Sequence, residues 1–208
     1  MNRPVVSVVM PCYNQAMFLT QAVESLQAQT FPDWECIIVN DESPDNTEHV
    51  ALALCKQDPR IKYISQKNGG PSSARNHAIS LAQGEYILPL DADDIIGDNY
   101  LLKAVEAFNN RPDLRLVYCE AAYFGLREGK WDLEEYSFRN LLRYNTIFCS
   151  AIFRKEDWER VGGYDESLRN GWEDWAFWIK LLDPAAKVYR IPEVLFFYRI
   201  KSQSHSTA

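Results

Sequence analysis

Three times in its first half the chain runs from a short apolar segment into a helical pattern, and every apolar segment but the third stops at a polar or acidic cluster. The first run, residues 4–10, ends in the turn Pro11-Cys12-Tyr13-Asn14, and residues 17–29 then place Phe18, Ala22 and Leu26 near helical period. Residues 34–40 carry Cys-Ile-Ile-Val and end in Asn40-Asp41-Glu42-Ser43. Asp45 followed by Glu48 has the form of a capping box for a helix reaching Lys56. Residues 61–65 form a third strand pattern, 72–82 a third helix, and 85–90 a fourth strand that stops at Asp91-Ala92-Asp93-Asp94. This alternation predicts an α/β fold: a Rossmann-like, mostly parallel central sheet flanked by helices, with ligands at the carboxyl ends of the strands.

The second half is less regular. Its patterns predict a helix over 98–109, a strand over 114–119, an aromatic stretch over 123–144 and a strand over 147–153. A short helix over 157–161, the turn Gly162-Gly163-Tyr164-Asp165-Glu166, a helix over 172–182 and a last strand over 194–199 follow. With 208 residues and no internal repeat, a single domain is expected, in two halves, one to about residue 97 and a mixed C-terminal one over about 98–208.

Charge and composition narrow the function. The chain carries 22 basic and 29 acidic residues, a net charge of −7, where a nucleic-acid binder would show a basic footprint. Six Trp, eleven Tyr and ten Phe argue for a packed core. No apolar run approaches the about 20 residues of a membrane span, and the stretch 5–10 is too short for a signal peptide. A cytoplasmic protein is therefore expected. Five scattered cysteines (12, 36, 55, 119 and 149) form no C-x-x-C pair and read as small buried residues.

What the strand ends carry is chemically coherent. Asp91 and Asp93, two apart at a strand end, can place one carboxylate on a divalent cation and the other on a sugar hydroxyl, or merely cap the next helix. Asp41 can accept the imide N–H of a uracil, or form an Asx turn. Arg75 and Asn76 begin a helix behind Asn68-Gly69-Gly70-Pro71, a turn that can approach a phosphate closely, and Arg75 can equally balance the acidic edge. Glu173 and Asp174 open a helix among Trp172, Trp175 and Trp178. A carboxylate beside indoles is desolvated into a better base, although first-turn acids also simply favour a helix dipole. His49 and His77 read as structural, and His205 is a candidate extra metal ligand.

Eight segments in this order resemble a family 2 glycosyltransferase domain of the GT-A fold, from Val5 to about Ser206. They are Val-Val-Met-Pro-Cys-Tyr-Asn14, Gln29-Thr-Phe-Pro-Asp-Trp-Glu35, Ile38-Val-Asn-Asp-Glu-Ser43, Asn68-Gly-Gly-Pro-Ser-Ser-Ala-Arg-Asn76, Gly84-Glu-Tyr-Ile87, Leu90-Asp-Ala-Asp-Asp94, Val161-Gly-Gly-Tyr-Asp-Glu166 and Trp172-Glu-Asp-Trp175. The resemblance implies an inverting transferase that moves a sugar from a nucleotide-diphospho-sugar, UDP-linked, to a hydroxyl acceptor in surface polysaccharide or glycolipid synthesis. Pro11 and Tyr13 would border the base, Asp41 bind uracil, Arg75 reach toward the nucleotide and Asp91 contact the ribose. Asp93 would coordinate Mn²⁺ or Mg²⁺ and Asp174 would be the catalytic base. A saccharide or lipid-linked acceptor, peripheral membrane association and a homodimer are compatible with it.

Two departures stand out. Asn40 and Glu42 occupy positions where the family often has Asp and Gly. Tyr198-Arg199 is followed by Ile200-Lys201 where members often carry a metal-binding His. Two other readings stay open: a nucleotide-sugar binding module without turnover, and a metal-dependent phosphatase of the haloacid dehalogenase type, whose D-x-D would end the first strand rather than the fourth.

Overall fold

The computed structural model describes residues 3–169 and 171–202. Strands β1 (Val6–Cys12), β2 (Trp34–Asn40), β3 (Ile61–Ser65) and β4 (Tyr86–Pro89) lie parallel in the order β3-β2-β1-β4. Helices α1 (Ala16–Gln27), α2 (Thr47–Gln57) and α3 (Pro71–Leu81) connect them. β2 is buried along its whole length, which is why it reads as a continuous apolar run and not as an alternating one. Pro11 is tolerated in this central ladder for a register reason. Val9 O accepts from Leu90 N on the β4 side, so the Pro11 nitrogen, two residues on, faces a strand that has already ended at Pro89.

The second half continues the same sheet in mixed directions. β8 (Ile152–Arg154) pairs antiparallel with β4, then comes β6 (Leu114–Gly125), and β9 (Lys187–Ile200) runs parallel to β6. β5 (Ile95–Ile96) closes the path on β9, and β7 (Gly129–Trp131) folds back on β6. Helices α4 (Tyr100–Asn110), α5 (Phe138–Leu141), α6 (Lys155–Val161) and α7 (Glu173–Leu181) complete it. The expected fold class, a mostly parallel sheet with a mixed second half, holds. Register shifts around Glu120 mark irregularities that bend a strand, and Ile95 pairs with Phe197. The last residues of β9 therefore lie beside the turn Asp91–Asp94.

Several boundaries differ from the sequence patterns. β6 and β9 run on to residues 125 and 200, because each covers the other's exposed edge. Most of the stretch 147–153 is a buried loop, with β8 confined to Ile152–Arg154; Trp178 Nε1 donates to Ile147 O and Tyr100 OH to Ser150 O, so side chains do the work of a ladder there. The capping box does not form. Asp45 instead accepts from Thr47 N and Thr47 Oγ1, and its other oxygen takes Ala16 N at the start of α1.

A buried acid ties the parallel half together. Glu35 accepts from Ser7 Oγ (2.6 Å), Gln83 N (2.7 Å) and Lys62 Nζ (2.6 Å), linking β1, β2, β3 and the approach to β4. Burial alone would raise its pKa, but these donors overrule it and hold the carboxyl below the usual range. Beside it Gly84 admits no side chain, since a Cβ there would sit 2.6 Å from Ser7 N. A carboxyl whose pKa is lower in the folded state stabilises the fold above its unfolded pKa and loses that contribution as the pH falls. Glu35→Ala, which leaves the buried Ser7 hydroxyl without its acceptor and removes two part-buried bonds, should lower the unfolding free energy at pH 7 by about 2 kcal/mol in denaturant titration. The difference should shrink below about pH 4.

Candidate active site

The carboxyl ends of β1, β2 and β4 open on one edge of the sheet, and their loops are tied to one another. Ser43 N donates to Asn40 Oδ1, Ser43 Oγ to Cys12 O, and Asn14 N to Ser43 Oγ, fastening the loop after β2 to the loop after β1. Tyr13 rides on this junction, 45% exposed, with Pro11 half-buried beneath it.

Asp41 is buried and accepts from Gln66 Nε2 (2.8 Å), Gly69 N (2.9 Å) and Gly70 N (2.9 Å). Gly70 stands at φ +86 ahead of α3, a backbone that side chains rarely adopt. The two glycine amides that could have cradled a phosphate thus point at Asp41, an anion already at the helix N-terminus. One further lone pair of the carboxylate remains for a ligand. Gln66 is oriented in turn by His77 Nδ1, 2.8 Å from its Oε1. His77 therefore supports the Asp41 loop, a role its position in a helix did not reveal.

Arg75 is only 2% exposed and spans the site. Its Nη2 donates to Asp91 Oδ1 and its Nη1 to Glu173 Oε1, both at 2.7 Å, and its Nε has no partner among the described residues. Burial opposes its charge, but Asp91 and Glu173 outweigh burial and make its proton harder to remove. Of the two expectations for Arg75, the structure realises charge balance at the acidic edge. Each terminal nitrogen gives one of its two N–H groups to a carboxylate, a role compatible with the expected reach toward the nucleotide.

The Asp91–Asp94 turn is clasped by the end of β9. Arg199 N donates to Asp94 Oδ1 (2.8 Å), Arg199 Nε to Asp93 O (2.6 Å), and Lys201 forms an ion pair with Asp93 Oδ2. Asp94 is buried, and its Oδ2 has no partner among the described residues. Burial, with Asp93 and Asp91 adding to it, pushes its carboxyl well above the usual range. Ligand atoms of Asp91, Asp94 and Cys149 lie within 4.8 Å of one another, the spacing a metal ion needs. The oxygens of Asp91 and Asp94 suit a hard cation such as Mn²⁺ or Mg²⁺, for which the soft sulfur of Cys149 is the poorer match. Asp93 stands outside this trio, on Lys201. His205 lies outside the described residues.

Asp174 opens α7 directly after Glu173. Its Oδ1 accepts from Trp175 N (2.7 Å) and its Oδ2 from Asn145 Nδ2 (3.0 Å), which fixes its orientation. Burial, then the neighbouring Glu173, raise its pKa to about 6 despite Arg75. Trp178 is core, whereas Trp172 is 67% exposed with φ +68, an unusual backbone for a bulky residue. Asn14 (φ 57) and Glu42 (φ 60) are the other non-glycine residues of this kind among those described, and all three stand at this edge. Such strain persists where surrounding structure imposes it, commonly at functional sites.

A parallel sheet edge with clustered acids, a buried arginine and a carboxyl of raised pKa is the form of an α/β enzyme site. Residues 7–162 match the family profile of "Glycosyl transferase family 2", and the chain belongs to that family. It is 29% identical over 211 residues to the minor teichoic acid biosynthesis protein GgaB of Bacillus subtilis (strain 168), covering 96% of this chain and 23% of that one. The crystal structure of S. aureus TarS 1-349 in complex with UDP-GlcNAc superposes with a TM-score of 0.81 at 24% identity, over 98% of this chain and 60% of that one. The mannosyltransferase PcManGT from Pyrobaculum calidifontis, in complex with GDP-Man and Mn2+, gives 0.76 at 21% identity, over 100% and 60%. At these identities the two structures establish the GT-A fold. This chain spans less than two thirds of each of the three proteins.

Replacing Arg75 with Met leaves Asp91 and Glu173 facing one another without a counter-charge and should cost about 3–5 kcal/mol of stability. Adding Glu173→Gln should restore more than about 1 kcal/mol, a coupling readable from a double-mutant cycle of denaturation curves.

Proposed function

We propose that the chain is the catalytic domain of an inverting glycosyltransferase that takes a sugar from a nucleotide-diphospho-sugar, UDP-linked, to a saccharide or lipid-linked hydroxyl in polymer synthesis. The observation that carries the reading is Asp174, an oriented carboxylate with its pKa raised to about 6, held through the adjoining Glu173 and Arg75 to the acidic end of β4. Family membership and the names of the three similar proteins support it: one makes a teichoic acid, and the other two bind UDP-GlcNAc and GDP-Man.

In this reading residues 1–97 hold the donor and 98–208 the acceptor. Tyr13 and Pro11 border the base, and Asp41, with its loop held by Gly69, Gly70 and the Gln66–His77 pair, takes the uracil imide N–H. Asp91, steadied by Arg75, meets the ribose. Asp91, Asp93 and the buried Asp94 would hold a divalent cation, which supplies charge neutralisation for the departing diphosphate. Asp174 takes the proton of the acceptor hydroxyl as that oxygen attacks the anomeric carbon from the side opposite the leaving group. Trp172, exposed beside this base, offers an indole face to the acceptor sugar. This reading expects the reaction in the cytoplasm, at the inner face of a membrane where the acceptor is lipid-linked.

A base works only when ionised, so turnover should fall about ten-fold per pH unit below about 6 and level off above about 7. Asp174→Asn should cut kcat by about 10²–10⁴ and flatten that acid limb while UDP affinity, measured by calorimetry, stays within about three-fold. Full turnover by this variant would contradict the assignment. A thermal-shift screen of UDP- and GDP-sugars with and without Mn²⁺ should give its largest rise in Tm with a UDP-sugar plus metal, because a ligand bound only by the folded chain stabilises it by mass action.

A further inference from the structure

The clasp between β9 and the Asp91–Asp94 turn places a cation where the nucleotide-sugar reading puts a divalent ion. Each carboxylate of the turn has its own protein donor: Asp91 has Arg75, Asp94 has Arg199 N, and Asp93 has Lys201. The Lys201–Asp93 pair is well shielded, with side chains 16% and 17% exposed, and the ammonium lies 5.5 Å from the centre of the Phe18 ring. Its placement is not that of a wandering surface lysine, because two residues earlier Arg199 anchors the strand through its main-chain N and its Nε, while Nη2 donates to Gln21 Oε1. The second oxygen of Asp93 has no partner among the described residues.

Physical chemistry separates this pair from the Arg75 cluster. A guanidinium held by two carboxylates is fixed in place, whereas an ammonium is a point charge on a flexible four-carbon stem and can change partners by rotating that stem. A divalent ion approaching Asp93 meets a positive charge already on the carboxylate, and two cations sharing one carboxylate repel at close range. A diphosphate entering beside Asp93 offers the ammonium a second, more highly charged anion.

We infer that Lys201 is a resident counter-cation: it holds Asp93 while no nucleotide is bound, competes there with a divalent ion, and turns to the diphosphate when the donor enters. The inference rests on the nucleotide-sugar reading and adds to it a phosphate-binding residue at the position where relatives often carry a metal-binding histidine. It also makes donor binding less dependent on metal than a carboxylate-only rim would be.

Mn²⁺ titrated calorimetrically into the nucleotide-free full chain tests the competition, and UDP titrated in EDTA tests the phosphate contact. Lys201→Met should bind Mn²⁺ at least about ten-fold more tightly than wild type, and should bind UDP in EDTA at least about ten-fold more weakly. Lys201→Arg, which keeps the charge, should hold UDP affinity in EDTA within about three-fold of wild type. Unchanged melting temperatures in both variants assign the effects to the site and not to folding. Equal Mn²⁺ and UDP affinities in wild type and Lys201→Met would overturn the inference. If wild type binds no UDP with or without Mn²⁺, the nucleotide-sugar reading itself fails, and the phosphate role of Lys201 falls with it; tighter Mn²⁺ binding by Lys201→Met would then leave only the competition standing.

Discussion

One buried guanidinium holds the two halves of the site in register. Arg75 comes from the helix after the third strand, Asp91 from the end of the fourth, and Glu173 from the start of a helix 98 positions after Arg75. Arg75 is 2% exposed, and its partners Asp91 and Glu173 are 31% and 12% exposed, so the cost of burying the guanidinium is recovered only while both carboxylates stay in place. That demand couples the acidic turn after β4 to the first turn of α7, where Asp174 stands. The geometry between the acidic rim and Asp174 is thereby set by a rigid fork and not by a flexible loop.

The acids of this edge would repel one another in an open arrangement, and the fold distributes donors among them. Arg75 serves Asp91 and Glu173, the main chain of Arg199 serves Asp94, and Lys201 serves Asp93. Asn145 and Trp175 N serve Asp174, yet burial and Glu173 still leave it with a pKa of about 6. A carboxylate so placed is more basic than a surface aspartate while remaining largely ionised at neutral pH. Asp94 Oδ2 is left buried without a donor among the described residues, an environment that favours a proton or a metal.

Much of the parallel half was legible because burial on both faces writes itself as uninterrupted apolar runs: β2 and β3 fall where their patterns put them, and β1 and β4 lie within two residues. The acidic strand ends were legible because charge right after an apolar run has no packing role, and the Glu173-Asp174 pair because it opens a helix among tryptophans. Contacts that cross the chain were not. Arg75 meets Glu173 across 98 positions and Lys201 meets Asp93 across 108, and no local pattern encodes either. The Gly69-Gly70 turn looked like a phosphate cradle, but only the folded loop reveals Asp41 as the anion in it. Glu42 explains one departure from the family: its φ of +60 is a conformation glycine adopts freely, and here the side chain answers with a bond to Asn68 N at 3.2 Å.

A crystal structure of the chain with UDP and Mn²⁺ bound tests the central claim most directly, that one cavity is bounded by the Asp91–Asp94 turn on one side and by Asp174 on the other. The account predicts the diphosphate against Asp93 and Lys201, the base between Tyr13 and Asp41, the Arg75 bridge intact, and Asp174 facing the open space beyond the terminal phosphate. A nucleotide seated elsewhere, or Asp174 turned into bulk solvent away from the diphosphate, would contradict it.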